Sequence, residues 1–391
     1  MGLIKRPNEL TVKTTLSALI YGQPGMGKAQ PLYCNILTPT GFKKLSDLSV
    51  GDEVMGHDGK VQKVLGIYPQ GIRPVYRIMT NDSAITYCDE EHIWTVRSST
   101  GNSRKAGFKN VTLKEMIAKG ISCPLSPSRQ STTRKAIPRY EIPVAEAMDY
   151  PEKEYEVNPY ILGVLIGDGS LTGNVAMFSN PDMDNQILEE VKMLLPSVYS
   201  IRKNEAPQCP QYSIVLRGNG EGYIQKIKRL GLNVHSGDKF IPSEYKLGSR
   251  EQRLALLRGL MDTDGHANKN RVSFSTSSRI LADDFVHLVL SLGGIAKAVG
   301  YPREDKGIEY RVTVNMSECP FTLERKAAQW NPVAPSRYII DAEKIEDSEC
   351  VCIKVSNEDE LYITDDFIVT HNTTLALSAP NPVLFDYDGG I

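Results

Sequence analysis

Near its carboxyl end the sequence reads Val369-Thr370-His371-Asn372-Thr373, and this stretch determines how the rest of the chain divides. The side-chain amide of Asn372 can attack its own carbonyl carbon, close a succinimide ring and release the residue that follows. His371 can donate the proton that the leaving amine needs, and Thr373 carries a hydroxyl nucleophile beside that bond. The stretch predicts a backbone that cuts itself after Asn372, with an ordinary polar loop as the alternative on these residues alone.

A phosphate-binding loop is split across the chain. The run GQPGMGK at residues 22–28 fits the motif G-x-x-x-x-G-K, but the next residue is Ala29. The motif needs Ser or Thr there, because its hydroxyl reaches Mg²⁺. Joining Lys28 to Thr373 completes the motif between a short apolar strand and a helix. We therefore expect that removal of residues 29–372 restores a nucleotide-binding site. It would bind ATP and Mg²⁺ in the spliced host only, through Gly22, Gly27, Lys28 and Thr373.

The chain resembles an intein caught in its host protein, a phage-type RecA-like or related P-loop ATPase. The resemblance implies that the host polypeptide is covalently attached on both sides, as residues 1–28 and 373–391. These two pieces are too short to bury a core of their own, so we expect no ATP hydrolysis before splicing. Splicing would break two peptide bonds, Lys28–Ala29 and Asn372–Thr373.

Composition places the protein among ordinary globular proteins. A length of 391 residues predicts two to three domains. Because the net charge is −2, we expect any DNA site to be a local positively charged patch. Seven scattered cysteines without zinc-type pairs favour free thiols in a reducing compartment. Without a secretory signal or an apolar run of membrane-spanning length, we expect a monomer in the cytoplasm of a bacterial host cell, encoded by a phage and with no membrane partner.

Residues 29–98 contain short apolar runs separated by Gly and Asp, which predict strands and hairpins. Residues 36–42 and 48–52 resemble the opening block of inteins and hedgehog-like self-processing proteins, which implies the flat all-β horseshoe called HINT. The more polar residues 101–155 are predicted to be the exit from the β domain and a linker, with a short helix at Leu113–Ile117. Residues 336–372 return to β character.

Residues 156–330 contain an internal repeat. Gly167-Asp168-Gly169 and Thr263-Asp264-Gly265 are each followed by Phe-Ser, ten residues after the Asp. Helical runs at 187–195 and 285–292 and strands at 212–216 and 310–314 come next in the two copies. The repeat predicts a pseudo-twofold α/β unit inside one chain.

The start of each copy, residues 161–169 and 257–265, resembles the LAGLIDADG motif of homing endonucleases. Small residues four apart (Gly163 and Gly167, then Gly259 and Thr263) would let two helices pack closely. The resemblance implies that Asp168 and Asp264 meet at one end of these helices and hold Mg²⁺. Such a site would cleave double-stranded DNA at a homing site. For either copy alone, an ordinary Asp-Gly helix end is the alternative.

Other residues of the repeat carry weaker signals. The first copy has Ile166 where the family often has Asp, at a position that is not a metal ligand. Lys239 begins a run that matches the family's K-x-I-P block, which implies electrostatic support of the site, and a surface Lys before a turn is the alternative. Arg217, Arg271 and Arg311 are candidates for DNA contacts, although surface arginines are often only solvated.

The first intein residue is normally Cys or Ser, which attacks the preceding carbonyl, but Ala29 has no nucleophile. Cys352 lies where most inteins have Asp and is the candidate replacement. The alternative is an engineered trap, in which alanine replaced the native nucleophile of an ordinary class 1 intein. Cys34 and Cys350 are assigned to packing.

A variant intein class, class 3, combines a missing first nucleophile with three linked residues. Trp94 follows His92 of the family's histidine block by two positions, Cys352 replaces the Asp, and Thr373 follows the last Asn. The chain resembles class 3 on all these points. It departs from the family at Asp89, three positions before His92, where the family has Thr. This departure leaves open how His92 is supported.

The resemblance implies a sequence of steps that needs no cofactor. His92 would polarise or protonate the Lys28–Ala29 peptide, and Cys352 would attack the Lys28 carbonyl to form a branched thioester. Thr373 would take the acyl group, and Asn372 would cyclise with help from His371. Two alternatives remain: an ATP-binding protein with a structural insertion, and a homing endonuclease on a splicing-dead scaffold. The predicted domains are 1–28, 29–150, 151–332, 333–372 and 373–391.

Overall fold

The computed structural model of the protein describes residues 29–99, 107–131, 136–204, 206, 209–269, 271–304 and 307–371. The two host pieces lie outside this part of the chain. The predictions made for Gly22, Gly27, Lys28, Asn372 and Thr373 therefore stay predictions. Within the described residues, no helix is long and apolar enough to cross a membrane.

The first part of the chain forms strands and one short helix. The helix, α1, covers the predicted Leu113–Ile117 run, and its Thr112 N-cap and Glu115 side chain form a reciprocal capping box. The bounds of these elements are β1 Gln30–Pro31, β2 Asn35–Thr38, β3 Gly41–Lys44, β4 Glu53–Met55, β5 Val61–Arg73, β6 Val75–Thr80, β7 Ile85–Asp89, β8 Ile93–Ser98, β9 Lys109–Thr112, α1 Leu113–Lys119, β10 Ser122–Pro124, β11 Ala136–Pro138 and β12 Tyr140–Ile142.

The middle of the chain alternates helices with strands, as the repeat predicts. Asn158 and Ser249 cap the two motif helices with their side-chain oxygens, which fixes where each helix begins. The bounds are α2 Pro159–Asp168, β13 Gly169–Ser170, β14 Met177–Ser179, α3 Asn185–Leu194, β15 Tyr199–Asn204, β16 Gln211–Leu216, α4 Tyr223–Arg229, α5 Arg250–Asp264, β17 Gly265–Asn268, β18 Arg271–Thr276, α6 Arg279–Ser291, β19 Ile295–Arg303, β20 Gly307–Asn315 and α7 Glu324–Ala327.

The last strands return to the sheets that the first strands began. They are β21 Arg337–Lys344, β22 Ser348–Val355, β23 Leu361–Thr364 and β24 Ile368–His371. One sheet has the order β1-β22-β5-β4, a second β24-β23-β2-β3, and a third β7-β6-β21-β12-β8-β9, while β10 and β11 form a separate pair. Because β1 pairs with β22 and β2 with β23, the residues next to both predicted junctions belong to one all-β body.

The stretch predicted to be a linker is in part structural, so that prediction was wrong there. Strand β12 lies inside the six-stranded sheet between β21 and β8, and its three residues are buried. Ala145, Met148 and Tyr150 continue into a shared core with strands β23 and β24 and with Leu290 of α6. The polar composition of residues 101–155 hid a strand too short to show alternation.

The two copies of the repeat form matching sheets. The first has the order β13-β14-β16-β15 and the second β17-β18-β20-β19. Corresponding residues pair in the same way, since Gly169 pairs with Phe178 and Gly265 with Phe274. The predicted fold class is confirmed: an all-β body of HINT type and an α/β unit with pseudo-twofold symmetry. The predicted domain limits stay predictions.

Helices α2 and α5 cross at the centre of the α/β unit with their backbones in contact. A Cβ atom on Gly259 would lie 3.0 Å from the Cα atom of Gly163 and closer still to the carbonyl oxygen of Tyr160. A Cβ on Gly163 would meet the carbonyl oxygen of Leu256 in the same way. Because backbone atoms cannot move aside as a flexible side chain can, both positions require glycine.

Replacing Gly259 with leucine should therefore destabilise the protein. Overfilling a packed core costs typically about 1–3 kcal/mol, and here the helices themselves must separate, so we expect the upper part of that range. Urea unfolding followed by circular dichroism measures the change. Gly237→Ala is the matched control, because a Cβ there meets nothing within 4 Å. Equal midpoints for both variants would contradict the close crossing.

Candidate functional sites

The first described residue, Ala29, directly precedes strand β1, which pairs with the strand that contains Cys352. In the antiparallel pairing of β1 with β22, Gln30 is opposite Val351 and Pro31 is opposite Cys350. One further step in the same register places Ala29 opposite Cys352. Both residues are buried, with exposed fractions of 0% and 2%. The structure thus brings the candidate nucleophile to the strand that begins at the predicted amino-terminal junction.

A tight turn connects Ala29 to the histidine block. The Asp89 N–H donates to the Ala29 carbonyl oxygen at 3.0 Å, and the His92 N–H donates to the Asp89 carbonyl oxygen at 3.3 Å. The His92 imidazole is fully buried, and its Nε2 lies 2.6 Å from Thr370 Oγ1. Thr370 is two residues before Asn372. One turn therefore links the neighbourhoods of the two predicted junctions.

Trp94 fixes the position of the His92 ring. The two ring centroids are 5.6 Å apart in an edge-to-face arrangement, a favourable geometry for aromatic pairs. Trp94 is buried in a core cluster that includes Ile368 of β24. Trp94 therefore both belongs to the core and holds the His92 ring in place.

His371 ends strand β24 and is almost fully buried. Its Nε2 lies 3.0 Å from Asn110 Nδ2, and its Nδ1 lies 3.7 Å from Glu360 Oε2. With the Asn110 amide as donor, Nε2 accepts and the ring is oriented. Asn110 was not predicted from the sequence, because a single Asn on a short strand has no motif around it.

A buried hydrogen-bond network holds the residue after Ala29. The Tyr362 hydroxyl donates to Gln30 Oε1 at 2.7 Å, and Gln30 Nε2 donates to Thr364 Oγ1 at 3.2 Å and to the Tyr87 carbonyl oxygen at 3.1 Å. Satisfied buried networks fix one geometry, since each unpaired partner would be costly. The network therefore fixes the start of β1, and no motif in the sequence predicted it.

The other thiols near this site are held in the unreactive form. Burial raises the pKa of Cys350 to about 12 and raises the pKa values of Cys34 and Cys88 well above their ordinary range. The thiolate is the nucleophilic form, so these residues are poor nucleophiles near neutral pH. Their environment agrees with the packing part predicted for Cys34 and Cys350.

In the α/β unit, Asp168 and Asp264 lie at the carboxyl ends of α2 and α5, on either side of the glycine crossing. A Cβ on Gly167 would lie 3.0 Å from Asp264 Oδ2, so this carboxylate lies against the other helix. Burial, then the charge of Asp168, raises the pKa of Asp264 to about 7, and burial raises the pKa of Asp168. By solvent accessibility Asp168 is exposed and Asp264 is half-buried, and two carboxyls that repel each other are stabilised by a bound cation.

Lys239 has a counterpart that the sequence analysis missed. Lys239 Nζ donates to the carbonyl oxygens of Gly167 and Gly169 at 2.8 and 2.9 Å. Lys326 Nζ donates to the carbonyl oxygens of Met261, Asp262 and Thr263 at 3.0, 2.7 and 3.0 Å at the end of the other helix. The repeat was the available signal, since a supporting Lys in one copy implies a search for its mate in the other.

A cleft of about 340 Å³ opens at the two aspartates. It is lined by Asp168, Asp264 and Lys239, and also by Arg303, Glu309 and Ser275 of β18. Oxygen ligands and a place for water suit Mg²⁺, which binds proteins through one or two carboxylates. Among the described residues no group of three or more His, Cys, Asp or Glu side chains could hold a metal. Asp168 and Asp264 are the candidate metal ligands, since the third carboxylate of the cleft, Glu309, is paired with Arg303.

The three arginines predicted to contact DNA lie on or next to the strands of the two sheets. Arg271 is the first residue of β18 and is exposed, and Arg217 follows the last residue of β16. Arg311 of β20 lies over the Tyr301 ring and 3.5 Å from a Glu309 oxygen. Their part in DNA contact stays a prediction.

Comparison with known proteins gives two kinds of likeness. Residues 251–320 match the LAGLIDADG-like domain family. The replicative DNA helicase DnaB of Mycobacterium intracellulare is 29% identical over 386 residues, which cover 92% of this chain and 61% of that protein. The replication factor C small subunit of Methanocaldococcus jannaschii is 24% identical over 307 residues, 75% of this chain and 16% of that protein. The chain therefore spans less than two thirds of either relative. The first match confirms the predicted LAGLIDADG domain.

Similar solved structures include both kinds of protein. The crystal structure of the MchDnaB-1 intein is 12% identical with a TM-score of 0.29, and covers 88% of this chain and 100% of its own. That of I-DmoI in complex with DNA and Ca is 12% identical with a TM-score of 0.31, and covers 44% of this chain and 94% of its own. At these scores no structural detail is carried over, so the geometry above comes from this chain alone.

Proposed function

We propose that this chain, as an intein with a LAGLIDADG-like insertion, excises residues 29–372 and joins Lys28 to Thr373. The observation that carries the proposal is the row of contacts from Ala29 through the Asp89–His92 turn to Thr370. Splicing needs both junctions in one place, and proximity of reacting groups contributes strongly to rate. Cys352 opposite Ala29 supplies the nucleophile that Ala29 lacks.

The proposed order of steps is the one that the class 3 resemblance implies. Cys352 attacks the Lys28 carbonyl carbon and forms a thioester, and the Ala29 nitrogen leaves. Thr373 Oγ then takes the acyl group from sulfur. Asn372 closes its ring with proton help from His371, which Asn110 and Glu360 orient. The freed ester finally rearranges to the Lys28–Thr373 peptide, and no cofactor enters.

We also propose that the α/β unit cleaves double-stranded DNA at a homing site. Asp168 and Asp264 would hold Mg²⁺, which, when bound, activates water and stabilises the leaving oxygen. Lys239 and Lys326 hold the backbone at the ends of the motif helices and thereby fix both carboxylates. The cleft between the aspartates is where the scissile phosphate would lie.

The host would be a P-loop ATPase that binds ATP and Mg²⁺ only after splicing. The likeness to a replicative helicase over most of the chain supports a host of that kind. We propose a monomer, phage-encoded and in the cytoplasm of a bacterial cell, where the seven cysteines that the structure leaves as free thiols would stay reduced.

Electrophoresis of the expressed chain under denaturing conditions tests the splicing proposal. Of the 43.4 kDa total, we expect an excised piece of about 38 kDa and a joined host fragment of about 5 kDa, in proportion to their residues. Mass spectrometry of the small product should show the Lys28–Thr373 peptide. Uncut chain as the sole species would favour an ATP-binding protein with a structural insertion.

A further inference from the structure

We propose that the Asp89 carboxyl is the acid that protonates the Ala29 nitrogen as the Lys28–Ala29 bond breaks. The inference rests on the proposed splicing function and adds to it a catalytic residue at the amino-terminal junction. Asp89 stands where the sequence departs from the intein pattern, and it is a titratable group in a position for which the family uses Thr.

The backbone holds Asp89 directly against Ala29. The hydrogen bond from the Asp89 N–H to the Ala29 carbonyl oxygen, at 3.0 Å, fixes the two residues side by side. The Asp89 side chain is 1% exposed, and neither of its carboxyl oxygens has a hydrogen-bond partner among the residues that the structure describes. Buried polar atoms are nearly always paired, so an exception calls for a functional explanation.

The surroundings of Asp89 favour the protonated form. Burial raises the pKa of the Asp89 carboxyl to about 6. The charge of Arg73 in β5 and the nearby Ala29 amide lower this pKa. That amide makes no hydrogen bond with either carboxyl oxygen. Glu91 in the same turn raises the pKa further, and the backbone N–H of His92 lowers it. Cys88 of β7 and Cys350 of β22 also face Asp89, and burial keeps both thiols neutral near pH 7.

His92 is placed for the other junction. Its Nε2 lies 2.6 Å from Thr370, on the strand that leads to Asn372, whereas Asp89 contacts Ala29 itself. A division of labour follows, in which Asp89 serves the amino-terminal bond and His92 braces the carboxyl-terminal strand.

The proposed step balances. The Cys352 sulfur forms a bond to the Lys28 carbonyl carbon, and the bond from that carbon to the Ala29 nitrogen breaks. The nitrogen leaves with the electron pair and takes the proton of Asp89, becoming a primary amine. The proton lost from the Cys352 thiol restores the Asp89 acid, so thiol and amide become thioester and amine without another reactant.

The test is the rate of thioester formation in Asp89→Asn as a function of pH. Dithiothreitol releases the 28-residue amino-terminal fragment from the thioester, and its amount is followed by mass spectrometry between pH 5 and 8. General acid catalysis contributes about 10²–10⁴-fold, so we expect a loss of at least about 100-fold. Asparagine keeps the shape of the side chain but has no proton to give.

The pH profile separates proton donation from a structural part. Thiolate increases tenfold per pH unit below the thiol pKa, while the acid form of Asp89 decreases tenfold per unit above pH 6. The full chain should therefore show a rate that rises up to about pH 6 and then levels. The Asp89→Asn chain should rise throughout, and Asp89→Glu should regain part of the level region.

Glu91→Gln is the matched control, because it removes a charge in the same turn from an exposed side chain paired with Lys114. It should keep the rate within about twofold and still show a break, at a pH slightly below 6 because loss of the Glu91 charge lowers the pKa of Asp89. Thermal unfolding of each variant shows that it folds. A full chain without a break near pH 6, or an Asp89→Asn rate within twofold of the full chain, overturns the inference. Failure of the unaltered chain to splice would instead refute the proposed function.

Discussion

The Cys352→Ala chain should form no branched thioester and no spliced product. Ala29 has no nucleophilic atom, and the register of β1 and β22 places Cys352 opposite it. The neighbouring thiols cannot take over, because burial keeps the pKa of Cys350 at about 12 and those of Cys34 and Cys88 raised. A lost nucleophile that has no substitute typically costs several orders of magnitude in rate. Non-reducing electrophoresis and mass spectrometry would detect the branched species.

Cys350→Ala is the control for the loss of one thiol from the same strand. It should continue to splice, with stability lowered by the small cavity that the missing sulfur leaves. A branched species that persists in Cys352→Ala would contradict class 3 chemistry. The engineered-trap alternative has its own test, because Ala29→Cys would then restore splicing even in the Cys352→Ala chain.

The second large effect is expected at the other site. Asp264→Asn should abolish DNA cleavage, because it removes one of the two carboxylates at the ends of the motif helices that are proposed to hold the metal. Loss of a group that merely supports a metal ligand costs about 10–100-fold, so loss of a ligand should cost more. The assay uses the excised protein, Mg²⁺ and a duplex with the uninterrupted host gene around the join of codons 28 and 373.

Asp238→Asn serves as the control, since Asp238 is an exposed acid on the turn just before Lys239. It should leave cleavage within about twofold, as surface substitutions usually have small effects. Splicing should be normal in both variants, because neither residue belongs to the all-β body. Cleavage by Asp264→Asn within tenfold of the unaltered protein would refute the paired-carboxylate site.

The sequence predicted features that are encoded locally or by repetition. Asp168 and Asp264 were placed at matching helix ends because the motif occurs twice with equal spacing to the next Phe. The glycines at 163 and 259 predicted a close crossing because a missing side chain has one obvious use in a buried helix. Such signals survive in a single sequence, since each depends on neighbours in the chain.

Features that depend on pairing across the fold were not predicted. Strand β12 has three residues and is identified only by its partners on both sides. Asn110 reaches His371 from 261 positions away, and the buried pairing of Gln30 with Tyr362 spans 332 positions. No local period marks such contacts. The departure at Asp89 was visible in the sequence, but its contact with Ala29 was not.

The place where the α/β unit joins the all-β body has a consequence for how such a chain could arise. Tyr140 pairs with Ile339, and Ile142 with Arg337, so the chain leaves the six-stranded sheet and re-enters it on the adjacent strand. An inserted domain of any size whose two ends lie on neighbouring strands does not distort the domain that receives it. Extra chain length between two fixed ends adds little to the entropic cost of closing the loop. Gain or loss of the gene segment for the α/β unit would therefore leave the all-β body able to fold. Only the surface of that body that now packs against Leu290 and Ile295 would need to change.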